Sequence, residues 1–102
     1  MGKKVLIAQQ APVTRTILQQ KDLEGVSGRE VMMYRTEIVP GGMSGRHYHF
    51  GPELAYGLQG ALIFELDGQP AATLKAGKSL HIPAKHFDNA KNTSTTQPGK
   101  AI

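Results

Sequence analysis

Turn-forming residues punctuate this chain so evenly that no long regular element fits between them. Gly25-Val-Ser-Gly28, Pro40-Gly41-Gly42, Gly51-Pro52, Gly60, Asp67-Gly68, Ala76-Gly77 and Pro83 follow one another at short intervals. Glycine admits positive φ and proline removes a backbone donor, so each cluster ends whatever precedes it. Nowhere do apolar residues recur at helical spacing over the roughly 11–18 residues that an amphipathic helix needs. Six to eight short strands joined by turns are therefore expected, an all-β sandwich or barrel.

The stretches between the turns support this. Val13 to Leu18 carries the β-branched residues Val13, Thr14, Thr16 and Ile17, with Gln19 and Gln20 closing the strand. Arg29 to Val39 has no helix cap before it and runs through Val31, Met33, Tyr34, Thr36 and Ile38. Leu54 to Leu58 is a short strand. Ala61 to Leu66 alternates Leu62, Phe64 and Leu66 against Ala61, Ile63 and Glu65. Asp67-Gly68 predicts a type I′ hairpin to Ala71–Leu74. Ser79–Ile82 and Phe87–Asn92 follow, then a polar loop over Thr93–Gly99. Ala101-Ile102 reads as the start of a strand that either runs on or is supplied from elsewhere. One domain over 13–102 is expected, behind an N-terminal arm over 1–12.

Valine, leucine, isoleucine and phenylalanine number 23 among 102 residues, enough for one lean core. Cysteine is absent, which removes disulfides, thiolate metal sites and cysteine nucleophiles together. The net charge of +4 raises the question of a nucleic-acid partner. Apart from Lys3-Lys4, however, the cations stand singly, as Lys75, Lys78, Lys85, Lys91 and Lys100 do in the last third, without aromatic residues interleaved for base stacking, so a scattered solvated surface is expected. No apolar run approaches the roughly 20 residues that cross a bilayer. Val5-Leu6-Ile7-Ala8 is shorter than the roughly 7–15-residue apolar region of a signal peptide, so a cytoplasmic location is the expectation.

Chemistry concentrates between residues 41 and 60, where Gly41 is followed at fixed spacings by His47, His49, Glu53 and Gly60. Residues two apart on an extended strand share a face about 6.6–6.8 Å apart along it, so His47 and His49 point the same way. The Gly51-Pro52 bend then brings Glu53 back toward them. Two imidazoles and a carboxylate with open positions are the kind of set that holds a catalytic divalent metal.

This spacing resembles the first motif of the cupin superfamily at every fixed position. It is similar in particular to small single-domain cupins that read Ser-Gly-Arg-His-Tyr-His and then Gly-Pro-Glu, here Ser44 to His49 and Gly51 to Glu53. The second cupin motif is matched only in part: Gly77, Pro83 and Asn92 fall in place, while Lys85 stands for a glycine and Asp88 for the fourth ligand, a histidine. The resemblance implies a double-stranded β-helix, or jelly-roll barrel, with a metal inside, and leaves the reaction open. Asp88 as a ligand would make a two-histidine, two-carboxylate set suited to Fe²⁺ or Mn²⁺, with Ni, Zn or Cu as alternatives. The competing readings are an Asp88 that faces solvent, or His86 in its place after a register shift; His81 reads as structural.

Arg46 reads as an ion-pairing surface residue that is also placed to clamp a substrate carboxylate. Ala55 and Gly57 share the parity of Glu53 and would leave room for a ligand. Tyr56 and Leu58 fall on the opposite face, an apolar patch that anticipates a homodimer. Two functions follow. One is a metal-dependent enzyme, dioxygenase-like, on a small-molecule substrate, with His47, His49 and Glu53 as primary ligands and Asp88 as fourth ligand or general base. The other is a non-catalytic cupin that binds a metal and a small ligand as a sensor or carrier.

Overall fold

A computed structural model describes residues 12–102; residues 1–11, most of the expected arm, lie outside the described residues. Every regular element described is a strand: β1 (Val13–Asp22), β2 (Glu30–Ile38), β3 (Glu53–Gln59), β4 (Ala61–Leu66), β5 (Ala72–Lys75), β6 (Ser79–Ile82), β7 (Asp88–Lys91) and β8 (Gly99–Ala101). They form a five-stranded sheet ordered β1-β2-β8-β3-β6 and a three-stranded sheet ordered β5-β4-β7. All pairings between these strands are antiparallel, the jelly-roll arrangement expected from the sequence.

The alternation in β4 sets the inner face of the smaller sheet. Leu62, Phe64 and Leu66 are buried, while Ala61 and Glu65 are exposed. β7 pairs with it so that Ala90 lies opposite Phe64 and Asp88 opposite Leu66, which carries a carboxylate inward on the parity of the core. Ile38, Ile82 and Ala101 meet them from the larger sheet, and Leu74 from β5. Each large side chain buried this way contributes roughly 1.5–3 kcal/mol. Asn92 is buried too, and its amide is satisfied: it donates to the carbonyls of Ile38 and Gln97 and accepts from Ser94 N–H. It thereby ties the end of β7 to β2 and to the polar loop.

Three local expectations are corrected. β1 does not close at Gln19-Gln20 but runs on to Asp22, because Glu30–Met33 offer it a partner strand; Leu18 is the extra residue where the register shifts between Ile17 and Gln19. The β4–β5 turn is not type I′, which needs positive φ at both central residues: only Gly68 has it (φ 77°), and Gln69 N–H bonds Leu66 C=O at 3.1 Å. The strand expected to start at Ala101-Ile102 is instead formed by Gly99–Ala101. β8 is inserted between β2 and β3, pairing with Thr36–Ile38 on one side and Gly57–Gln59 on the other.

Gly57 is also corrected. Its missing side chain leaves no ligand space, because the β5 backbone fills it: a Cβ there would lie 2.2 Å from the Lys75 carbonyl oxygen. Since that neighbour is main chain, relief requires moving one strand against another. Gly57→Ala is expected to cost about 1–3 kcal/mol in a denaturant titration, whereas Gly51→Ala, with nothing within 4 Å, leaves the midpoint in place.

Candidate metal centre

The segment carrying His47 and His49 is not a continuous strand. It runs along the free edge of β7 as a broken one, held by isolated bridges at Met43–Lys91 and His47–Asp88. Ser44 N–H bonds Ala90 C=O at 2.9 Å, and His47 and Asp88 exchange backbone bonds of 2.9 and 2.8 Å. Between them Gly45 N–H is taken by the Asn89 side chain at 3.0 Å, which breaks the ladder. Beyond them Lys85 N–H bonds His49 C=O at 2.7 Å. Lys85 has φ 61°, the left-handed region that glycine enters most easily. It occupies the position where the second motif has its glycine, so the backbone shape survives the change of residue.

These bonds bring His47, His49 and Asp88 together: one ligand atom from each lies within 4.8 Å of the others. The two imidazoles meet edge to face with centroids 5.0 Å apart. His47 Nδ1 lies 2.7 Å from Gly45 C=O; donating there orients the ring and leaves Nε2, 3.6 Å from Asp88 Oδ1, free to ligate. Asp88 is 2 % exposed. Its Oδ2 is buried without a hydrogen-bond partner, an orphan acceptor in a place where a lone carboxylate is costly. The donor set fits a divalent cation, which would take lone pairs from the Asp88 carboxylate and from both imidazoles.

Glu53, at the start of β3, stands beside the cluster and outside its 4.8 Å limit. Its Oε2 is 2.8 Å from His49 Nε2 and accepts a 2.6 Å hydrogen bond from Tyr34 Oη. Burial, and then the bond to Glu53, push the Tyr34 phenol well above its ordinary pKa, so it stays a neutral donor. Tyr34 escaped notice in the sequence because it lies 19 residues from Glu53, on a strand outside the histidine motif. Its inward parity with Ile38 was the available signal.

The other candidates lie elsewhere. His86 is exposed, its Nδ1 3.0 Å from Ala84 C=O, and His81 is exposed on β6. Arg46 pairs with Asp67 and lies 3.9 Å over the Phe87 ring, away from the cluster. Ala55 does line a cavity of about 250 Å³, together with His49, Glu53, Tyr34, Leu62 and Phe64.

The two antiparallel sheets and the His47, His49 and Asp88 cluster can now be set beside known proteins. Residues 34–102 match the cupin domain model, and the chain belongs to that family. No curated protein matches the chain in sequence. Among solved structures it is similar to a cupin superfamily protein from Desulfitobacterium hafniense, with TM-score 0.72 and 21% identity over 94% of this chain and 78% of that one. It is also similar to the DMSP lyase DddQ from Ruegeria pomeroyi, with TM-score 0.69 and 21% identity over 88% of this chain and 44% of that one. A predicted oxalate decarboxylase from Thermotoga maritima gives TM-score 0.58 and 26% identity over 67% of this chain and 58% of that one.

Burial raises the Asp88 pKa, an effect that His47 opposes and Glu53 reinforces. A carboxyl with a raised folded-state pKa favours folding in acid, and that contribution is lost as pH rises through the folded value. The metal-free protein is therefore expected to lose stability on this account toward neutral pH, and Mn²⁺ to restore it. Asp88→Asn should unfold at a temperature no lower than the metal-free parent at pH 7, and gain nothing from added Mn²⁺. Calorimetry of both proteins with and without the ion tests this; an undiminished Mn²⁺ increment in Asp88→Asn would remove Asp88 from the site.

Proposed function

We propose that this protein is a metal-dependent enzyme acting on a small organic molecule, a dioxygenase-like cupin that works in the cytoplasm with Fe²⁺ or Mn²⁺. The observation that carries the proposal is the buried, unpartnered Asp88 oxygen facing two histidines beside a cavity of about 250 Å³. His47, His49 and Asp88 hold the ion, with Glu53 as a further donor on the His49 side. A bound ion of this kind supplies Lewis acidity and exchangeable positions for substrate and O₂ or water. The chain's own groups do the rest. Tyr34 Oη donates to Glu53 and fixes its carboxylate, the Gly45 carbonyl fixes the His47 ring, and the apolar wall limits water around the substrate. Similarity to a DMSP lyase and to a predicted oxalate decarboxylase supports the enzyme reading at the level of fold.

Purified protein is expected to carry close to one divalent ion per chain, measured by elemental analysis, and His47→Ala or His49→Ala to abolish it. Because imidazole ligates only when neutral, occupancy falls in acid. Metal retained through both substitutions would overturn the site. The replacement of a histidine ligand by Asp88 favours a second reading, a metal- and ligand-binding cupin without turnover. Oxygen uptake by the loaded protein across a panel of small acids, alcohols and phenols separates the two.

The working unit we propose is a homodimer. On β3, Leu54 (82%), Tyr56 (50%) and Leu58 (41%) are exposed. A second copy packed isologously covers this patch and supplements a lean core. Sedimentation equilibrium at micromolar concentration is expected to show twice the 11.0 kDa chain mass, and Tyr56→Lys to shift it toward the monomer. A single monomeric species of the parent protein refutes the dimer.

A further inference from the structure

One lining group of the cavity has no task in the chemistry above. Arg15 stands on β1 opposite Thr36, on the inward parity of Val13 and Ile17, and reaches the mouth of the cavity. It is the one lysine or arginine among the lining residues, in a wall that is otherwise mostly apolar. Tyr34 lines the same cavity, and its phenol proton is already given to Glu53. Among the described residues no carboxylate lies within ion-pairing distance of it. A guanidinium offers five N–H donors in a planar fork, a match for the two oxygens of a carboxylate.

We propose that Arg15 is the carboxylate-binding group of this cavity, and that the ligand is a small organic acid whose apolar body lies against Leu62 and Phe64. The proposal rests on the cavity being the substrate site of the reading above. The chemistry is complementary throughout. A carboxylate accepts two parallel N–H bonds from one guanidinium, and the short apolar body it carries replaces water against the wall. Arg15 is exposed, so a neutral molecule of the same size leaves its fork to water and gains nothing from it. Arg46, the residue whose sequence position suggested such a clamp, is already paired with Asp67 outside the cavity. The competing role for Arg15 is to balance the negative charge of Glu53 and Asp88, which predicts altered metal retention without any preference between acids and alcohols.

The test compares hexanoate with 1-hexanol, by ligand-observed NMR titration of the full chain as purified and after removal of metal by chelation. Hexanoate is expected to bind at least about tenfold more tightly than hexanol, the factor that one charge-assisted hydrogen bond confers. Arg15→Gln removes that preference while hexanol affinity stays unchanged, which also shows that the cavity is intact; Arg15→Lys restores part of it. The preference persists in the metal-free protein. Hexanoate affinity unchanged in Arg15→Gln overturns the proposal, as does a preference that vanishes with the metal, since the ion would then be the anchor. If the protein holds no metal at all, the metal reading fails on its own, and the Arg15 comparison in the chelated protein still decides this one.

Discussion

The site is organised by one carboxylate on the core face of β7. Asp88 sits there because β4 and β7 pair in a register that places it opposite Leu66, and strand parity then sends its side chain inward. Its backbone is bonded in both directions to His47, so the position of the acid and of the first imidazole are set by the same two hydrogen bonds. His49 is fixed in turn by the Lys85 N–H and by Glu53. A charge in this location is unfavourable for the bare fold and favourable for a fold that holds a cation, which couples the stability of the sandwich to what it binds.

Much of the architecture was legible in the sequence because the decisive signals are local. The alternation of Leu62, Phe64 and Leu66 is a property of six consecutive residues, and the histidine pair with its returning glutamate spans seven. The class of fold and the region of the site follow from such patterns. What escaped depends on pairing between distant segments. Nothing in residues 13–22 announces that Leu18 is a bulge, because the bulge exists only relative to β2. Gly57 looked like space for a ligand until the β5 backbone proved to run 2.2 Å from where its Cβ would be. Tyr34 and Arg15 belong to the first hairpin, and only the assembled sheet brings them to the cavity.

The two cupin motifs show different tolerance to change. In the second, the glycine position is occupied by Lys85, which keeps φ at 61° and so preserves the turn that bonds His49. The exchange of histidine for Asp88 alters donor chemistry without altering the ladder that presents it. Geometry is thus held by the main chain, and the donor chemistry of the site is left to the side chain. The Asn92 amide, with all its polar contacts internal, belongs to the architectural half of that division.

The insertion of β8 between β2 and β3 has a consequence for how the molecule comes together. Residues 99–101 complete a sheet whose flanking strands were laid down some 41 to 65 positions earlier in the chain. Until they arrive, β2 and β3 each expose an open edge, and the larger sheet consists of two pieces. Pairings of such long sequence separation carry a large loop-closure cost before they return any stabilisation, so assembly is slow, on the order of milliseconds to seconds. During synthesis the emerging chain passes through a stage with two unpaired edges facing the cell, the species most exposed to aggregation and to capture by chaperones.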